Sequence, residues 1–152
     1  MEAITGEMLV AQARTWIDTP YHHAGRAKGH GVDCIGLVIG AARELGAAVP
    51  FDTTAYGRGD NLPLMQRGLL QFCDCLQPGE LSAQKAGGPP LRPGDILIFR
   101  GGSILHHVAI YTGPEMGAMI HVYNTVGKVV EQRLTPEWVR LLHLVFRLRG
   151  GN

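Results

Sequence analysis

The chain has 152 residues, 45% hydrophobic and 18% charged, a size and composition that suit one globular domain over residues 1–152 with a core of its own. A formal net charge of +1, with no run of Lys or Arg, supplies no electrostatic footprint for nucleic acid. No apolar run reaches the ~18 residues of a membrane span, and Met1 to Glu7 lacks the basic start and apolar core of a signal peptide.

Met8, Leu9, Ala11, Ala13, Trp16 and Ile17 fall at helical spacing and predict a first helix from about Thr5 to Asp18, stopped by Pro20. Pro20 to Gly31 has no apolar period and is punctuated by Gly25 and Gly29, so it reads as loop. Ile35, Leu37, Val38, Ile39, Ala41, Ala42 and Leu45 then predict a second helix, with Asp33 as N-cap and Gly46 as its C′ stop. Residues 47–60 carry turn residues and no sustained period. Leu64, Met65, Leu69, Leu70, Phe72, Cys73 and Leu76 predict an amphipathic helix over 62–76, ended by Pro78-Gly79. Residues 77–93, with Gly87-Gly88-Pro89-Pro90, read as a surface connection.

After Pro93-Gly94 the pattern changes to short strands over 95–100, 107–111, 118–123 and 128–132, separated by turns rich in glycine. A helical turn over 136–139 and a last strand over 142–149 complete the chain. Short turns imply consecutive antiparallel neighbours, so N-terminal helices packed on a C-terminal β-meander give an α+β fold. No internal repeat is visible.

Cys34 falls in the first turn of its helix, where unpaired N–H groups and the helix dipole favour a thiolate. It is a candidate nucleophile; a buried packing cysteine is the alternative. Cys73 and Cys75 are two residues apart with no second pair, which is a poor zinc signal, and they read as packing cysteines on a helix. A cysteine nucleophile needs a base to take its proton and a third group to orient that base. His107 and His121 lie on adjacent predicted strands, where same-face neighbours come within about 5 Å at Cβ. His106 points to the opposite face from His107. His22, His23 and His30 precede Cys34 in the loop, and His143 opens the last strand.

Pro20-Tyr21, Gly31-Val32-Asp33-Cys34-Ile35-Gly36-Leu37-Val38, Leu91-Arg92-Pro93-Gly94-Asp95-Ile96-Leu97, His107-Val108-Ala109-Ile110-Tyr111-Thr112-Gly113 and Ile120-His121-Val122 follow one another in order. In order and spacing these blocks closely resemble the NlpC family of papain-like cell-wall cysteine peptidases, over most of residues 18–125. The resemblance implies a papain-like α+β fold, with Cys34 as nucleophile, His107 as general base and His121 as the polar residue that orients it. It implies an oxyanion-stabilising role for Tyr21, together with backbone N–H near Cys34. It also implies that Asp33 binds the free amine of a stem peptide, a role open beside that of N-cap. The implied substrate is the peptide of bacterial peptidoglycan, cleaved between γ-D-glutamate and a diamino acid, with no metal or organic cofactor.

The chain departs from the family pattern at Ile35, where serine is usual, and at Ala24-Gly25, where Gly-Gly is usual. An apolar residue after the cysteine is similar to the branch encoded among the tail genes of phages and gene transfer agents. The expected setting is therefore cytoplasmic synthesis without a signal peptide, carriage in a phage-like tail beside tail or hub proteins, and action in the periplasm or cell wall. Neither nucleic acid nor membrane insertion is expected. The alternatives are a catalytically silent tail or hub component, against which intact Cys34, His107 and His121 argue, and a CHAP-like amidase or acyltransferase on the same fold.

Overall fold

Thr5 opens the first helix, α1 (Gly6–Arg14), by accepting the N–H of Met8 on its hydroxyl at 3.1 Å. The computed structural model describes residues 3–47, 49, 56–57, 59–76 and 91–149. Helix α1 ends before the expected Asp18 because that residue takes a left-handed backbone, φ 77°, and turns the chain toward Val129. The loop before Cys34 holds a small hairpin that the sequence pattern does not reveal, β1 (Arg26–Ala27) and β2 (Gly31–Val32). It leads into α2 (Cys34–Glu44), where Asp33 is the N-cap as expected and Gly46 follows the helix at φ 87°.

The predicted helix over 62–76 is two elements. Helix α3 (Leu62–Leu69) stops early, and β3 (Cys73–Cys75) pairs antiparallel with the last strand. Cys73 and Cys75 therefore sit on an edge strand, not on a helix. Their two-residue spacing suits a strand, with Cys73 buried and Asp74 turned to solvent, while Leu70, expected on the apolar stripe, is 49% exposed. The Pro78-Gly79 stop and residues 77–90 of the expected connection lie outside the described residues.

The strands β4 (Ile96–Gly101), β5 (Ile104–Gly113), β6 (Ala118–His121) and β7 (Val130–Arg133) form the expected meander, but β5 starts three residues before the expected 107 and β6 stops at His121, two short of the expected 123. Helix α4 (Pro136–Arg140) then returns the chain, so that β8 (Leu142–Leu148) pairs with β4 rather than β7. The sheet order is β3-β8-β4-β5-β6-β7, with every neighbour antiparallel. Ile96, Ile98, Val108, Ile110 and Phe146 face α1 and α2, against Leu9, Ala13, Leu37 and Val38. Leu97, Phe99, Ala109, Tyr111, Met119 and Val145 form a second core on the opposite face, capped by Leu91 and Trp138. Burial on both faces explains why Ile96-Leu97-Ile98-Phe99 reads as an unbroken apolar run.

Gly6, the first residue of α1, lies against the turn before β4, and a Cβ there would meet the Pro93 carbonyl oxygen at 1.8 Å. Helix propensity alone would favour alanine by about 1 kcal/mol. The clash is with backbone, which cannot rotate away, and an overpacked site costs about 1–3 kcal/mol. Gly6→Ala is expected to destabilise the protein, and a lower urea midpoint would record it; a raised midpoint would mean that α1 can slide off the turn.

Candidate active site

The site is built where the sheet runs out of partners. Strand β6 ends at His121 opposite Ala109, so among the described residues the segment of β5 before Ala109 has no strand neighbour on that edge. The N-terminus of α2 fills the gap. Backbone N–H groups of Val108, Ile35 and Cys34 itself point at the Cys34 sulfur and pull its pKa down. Burial, first, and the Asp33 carboxylate, second, act the other way and win: the thiol is pushed up to about 12. The helix N-terminus thus acts in the direction the sequence suggests, and burial with Asp33 outweighs it.

His107 and His121 lie on diagonal positions of β5 and β6, because Ala109 is the residue opposite His121. His107 Nε2 and His121 Nδ1 are 2.8 Å apart, and His121 Nε2 lies 2.7 Å from Gln132 Oε1 on β7. That chain leaves His107 Nδ1 as the ring nitrogen without a protein hydrogen bond among the described residues. The rings of Tyr123 and Trp138 pack on His107, at centroid distances of 4.9 and 5.5 Å, and Phe99 stacks at 6.1 Å. Buried in this aromatic box, His107 is held well below the usual imidazole pKa, first by burial and then by the nearby His121 and His106. His121, fully buried behind it, is lowered by burial, with Gln132 opposing.

A cleft of about 350 Å³ brings together Tyr21, Asp33, Cys34 and His107. Tyr56, Tyr123 and Trp138 also line it, with the β4–β5 hairpin tip at Ser103–Leu105. His106 lines the cleft too. The opposite strand faces do not separate it from the site, since the cleft takes in both sides of the unpartnered edge of β5. His106 Nδ1 accepts the Asn61 N–H at 3.3 Å. Tyr21 is placed by its backbone, whose N–H donates to Gly127 and which bridges to Val32.

Asp33 has no oxygen lone pair to spare. Its Oδ1 accepts from Gly36 N and from Arg26 Nη1, each at 2.9 Å; Oδ2 accepts from Ala24 N at 2.8 Å and from the Tyr56 hydroxyl. A carboxylate offers about four acceptor positions, and the protein fills them all. The geometry carries the N-cap half of the sequence expectation and leaves no open acceptor for a substrate amine. Ile35, the residue after the cysteine, is buried in the core and does not line the cleft. Among the described residues no group of three His, Cys, Asp or Glu side chains could hold a metal ion.

Gln132, Trp138, Tyr56 and Arg26 are the site's contributors that sequence reasoning missed. For Tyr56, Arg26 and Trp138 no local pattern marks the contact. Gln132 would be visible only with the β6–β7 register known, since Met119 lies opposite it.

A half-open sheet with a thiol at a helix N-terminus and an imidazole pair on its strands is the papain-like α+β arrangement. Residues 18–147 match the model of the NlpC/P60 family, and the chain belongs to that family. It is 33% identical over 124 residues to the probable endopeptidases Rv2190c of Mycobacterium tuberculosis and Mb2213c of Mycobacterium bovis. The match covers 80% of this chain but 25% of each relative, so the chain spans about a quarter of their length. Among solved structures, an NlpC/P60 family protein from Bacillus cereus superimposes with a TM-score of 0.64 at 20% identity, covering 97% of this chain and 41% of that one. The NlpC/p60 domain of the peptidoglycan hydrolase SagA gives 0.61 at 19%, covering 95% and 100%. NlpC1 from Trichomonas vaginalis gives 0.62 at 21%, covering 97% and 45%.

The pH behaviour follows from the signs. His106, His107 and His121 all have lowered pKa values in the fold, so the unfolded chain binds more protons below about 6.5. Stability is therefore expected to be greatest above that pH and to fall as pH drops below it. Thermal melts from pH 7.5 to 5 check this, and a flat melting temperature would contradict the buried neutral rings. Although burial and Asp33 favour the protonated Cys34 thiol, His107 lines the same cleft and can take its proton during attack, so iodoacetamide should label Cys34 before the fully buried Cys73 and before Cys75. Equal labelling of all three in the folded protein would count heavily against a special Cys34.

Proposed function

We propose that the chain is a cysteine peptidase that hydrolyses peptide bonds in bacterial peptidoglycan stem peptides. The observation that carries this reading is the hydrogen-bonded chain from Gln132 through His121 to His107, which leaves His107 Nδ1 open in the cleft that Cys34 lines. Burial shifts Cys34 up and His107 down, both toward the neutral form, so in this reading proton transfer accompanies attack. His107 Nδ1 takes the thiol proton as the sulfur bonds to the scissile carbonyl carbon. The oxyanion that forms is held by backbone N–H at the start of α2 and by the Tyr21 hydroxyl. Collapse expels the amine, which leaves with the proton from His107, and water then cleaves the thioester by the same route in reverse order.

The SagA domain and the mycobacterial endopeptidases, by their names, support peptidoglycan and peptide bonds as the target. The bond we assign is the one between γ-D-glutamate and the diamino acid. The closed Asp33 carboxylate and the buried Ile35 support a stem whose N-terminus is acylated by the glycan, since neither residue offers a group to a free amine. Purified sacculi and free stem peptides, each incubated with the protein and analysed by mass spectrometry, test this. Peptide fragments from sacculi are expected; sugar–peptide cleavage would indicate an amidase, and intact sacculi a silent component. Cys34→Ala and His107→Ala are each expected to abolish turnover with the fold retained.

The apolar residue after Cys34 supports a role in a phage-like tail, where the domain would open a local gap in the wall of a new cell. Antibody probing of purified particles, and DNA delivery by particles lacking the protein, test this reading. Absence from the particles, together with normal delivery, would sink it.

A further inference from the structure

We propose that Gln132 is a positioning residue: its side-chain oxygen, acting through His121, fixes which nitrogen of His107 carries the proton. The inference rests on the reading of Cys34 as nucleophile and His107 as base. A neutral imidazole has one donor and one acceptor nitrogen, so a line of two rings can run in only two directions. In the first, Gln132 Oε1 accepts from His121 Nε2–H at 2.7 Å, which makes His121 Nδ1 an acceptor. His107 Nε2 then donates to it across 2.8 Å, and His107 Nδ1 keeps a lone pair. In the second, every bond is reversed and His107 carries its proton on Nδ1, where it cannot act as a base toward Cys34.

The rings alone do not choose between these directions. Tyr123 and Trp138 meet both imidazoles through their rings, at centroid distances of 4.9 to 5.7 Å, so they fix position without setting polarity. The choice is made at the end of the line, where Gln132 presents oxygen rather than its amide nitrogen. Burial sharpens this, because His121 is fully shielded and water cannot supply an alternative acceptor. When His107 takes the Cys34 proton, its Nε2–H bond to His121 persists, so no proton moves along the line. The imidazolium keeps two donors with two acceptors.

The charged and titratable surroundings leave Gln132 in control of the far end. His106 and His121 act on His107, and Cys34 lines the same cleft. On β7, Glu131 is held by Arg14 at 3.0 Å, so it is not drawn to His121.

The test uses the full chain labelled with ¹⁵N-histidine, and reads ring tautomers by NMR beside the rate of Cys34 alkylation by iodoacetamide. Neither readout needs peptidoglycan, so an error in the assigned substrate would leave both results intact. In the wild type, His107 and His121 should both carry the proton on Nε2. Gln132→Met keeps the length of the side chain and removes the acceptor; the rings should lose their single tautomer and Cys34 alkylation should slow roughly tenfold or more, as for other outer partners of histidine rings. Gln132→Glu can only accept, so it should keep both the tautomers and the alkylation, with the acid limb of the rate moved to higher pH. A proton on Nδ1 of His107 in the wild type would overturn the proposal, as would an unchanged alkylation rate in folded Gln132→Met. If that variant does not fold, the wild-type tautomers and the Gln132→Glu profile decide the matter.

Discussion

One carboxylate holds the entrance of the site in place. Asp33 ties together the start of α2 through Gly36, the preceding loop through Ala24, the β1–β2 hairpin through Arg26, and the segment beyond α2 through Tyr56. Remove any of these donors and the others still anchor the group; remove the carboxylate and four donors lose an acceptor together. A buried polar group left unsatisfied costs about 1–3 kcal/mol. The network therefore decides where the first turn of α2, and with it Cys34, meets the edge of β5.

The same carboxylate imposes a chemical constraint. Placed one residue before the thiol, it adds to burial in opposing ionisation, against three backbone N–H groups that favour it. The balance pushes the thiol up to about 12. Burial also moves His107 toward its neutral form, so in the proposed site both shifts oppose a preformed thiolate–imidazolium pair. A preformed ion pair could tolerate an imidazole of either tautomer before ionisation. In the proposed mechanism a neutral pair cannot, because the nitrogen that takes the thiol proton must be the bare one. Neutrality at the entrance thus makes direction at the back of the site matter.

Much of this was legible in the sequence, and the failures are informative. The start and end of α2 were readable because Asp33 and Gly46 are local signals, one capping and one left-handed. The meander strands were readable because short glycine turns separate apolar runs. A helix over 62–76 does not form because Phe72, Cys73 and Leu76 extend a helical period only by coincidence, while pairing of Cys73–Cys75 with β8 decides their state. No local pattern contains that partner, which is more than 70 residues away in the chain. The return of β8 to β4 was hidden for the same reason. At the site, Cys34, His107 and His121 carry their chemistry in their residue types, whereas Gln132 and Trp138 are ordinary until strand register and the placement of α4 bring them to the rings.

The short length of β6 links these observations. Because it stops at His121, one edge of β5 is left open, and Val108 N–H reaches the Cys34 sulfur instead of a strand. The last residue of β6 is also the ring that receives His107, so the element that creates the vacancy carries the support behind it. Extending β6 by two residues would pair Tyr123 with His107 and close the edge where α2 now docks. Keeping Tyr123 out of the ladder instead lets it line the cleft with its ring against His107, while Val122 stays buried in the core. The site is thus the product of an interrupted sheet: the missing backbone bonds are replaced by a helix N-terminus on one side and an aromatic box on the other.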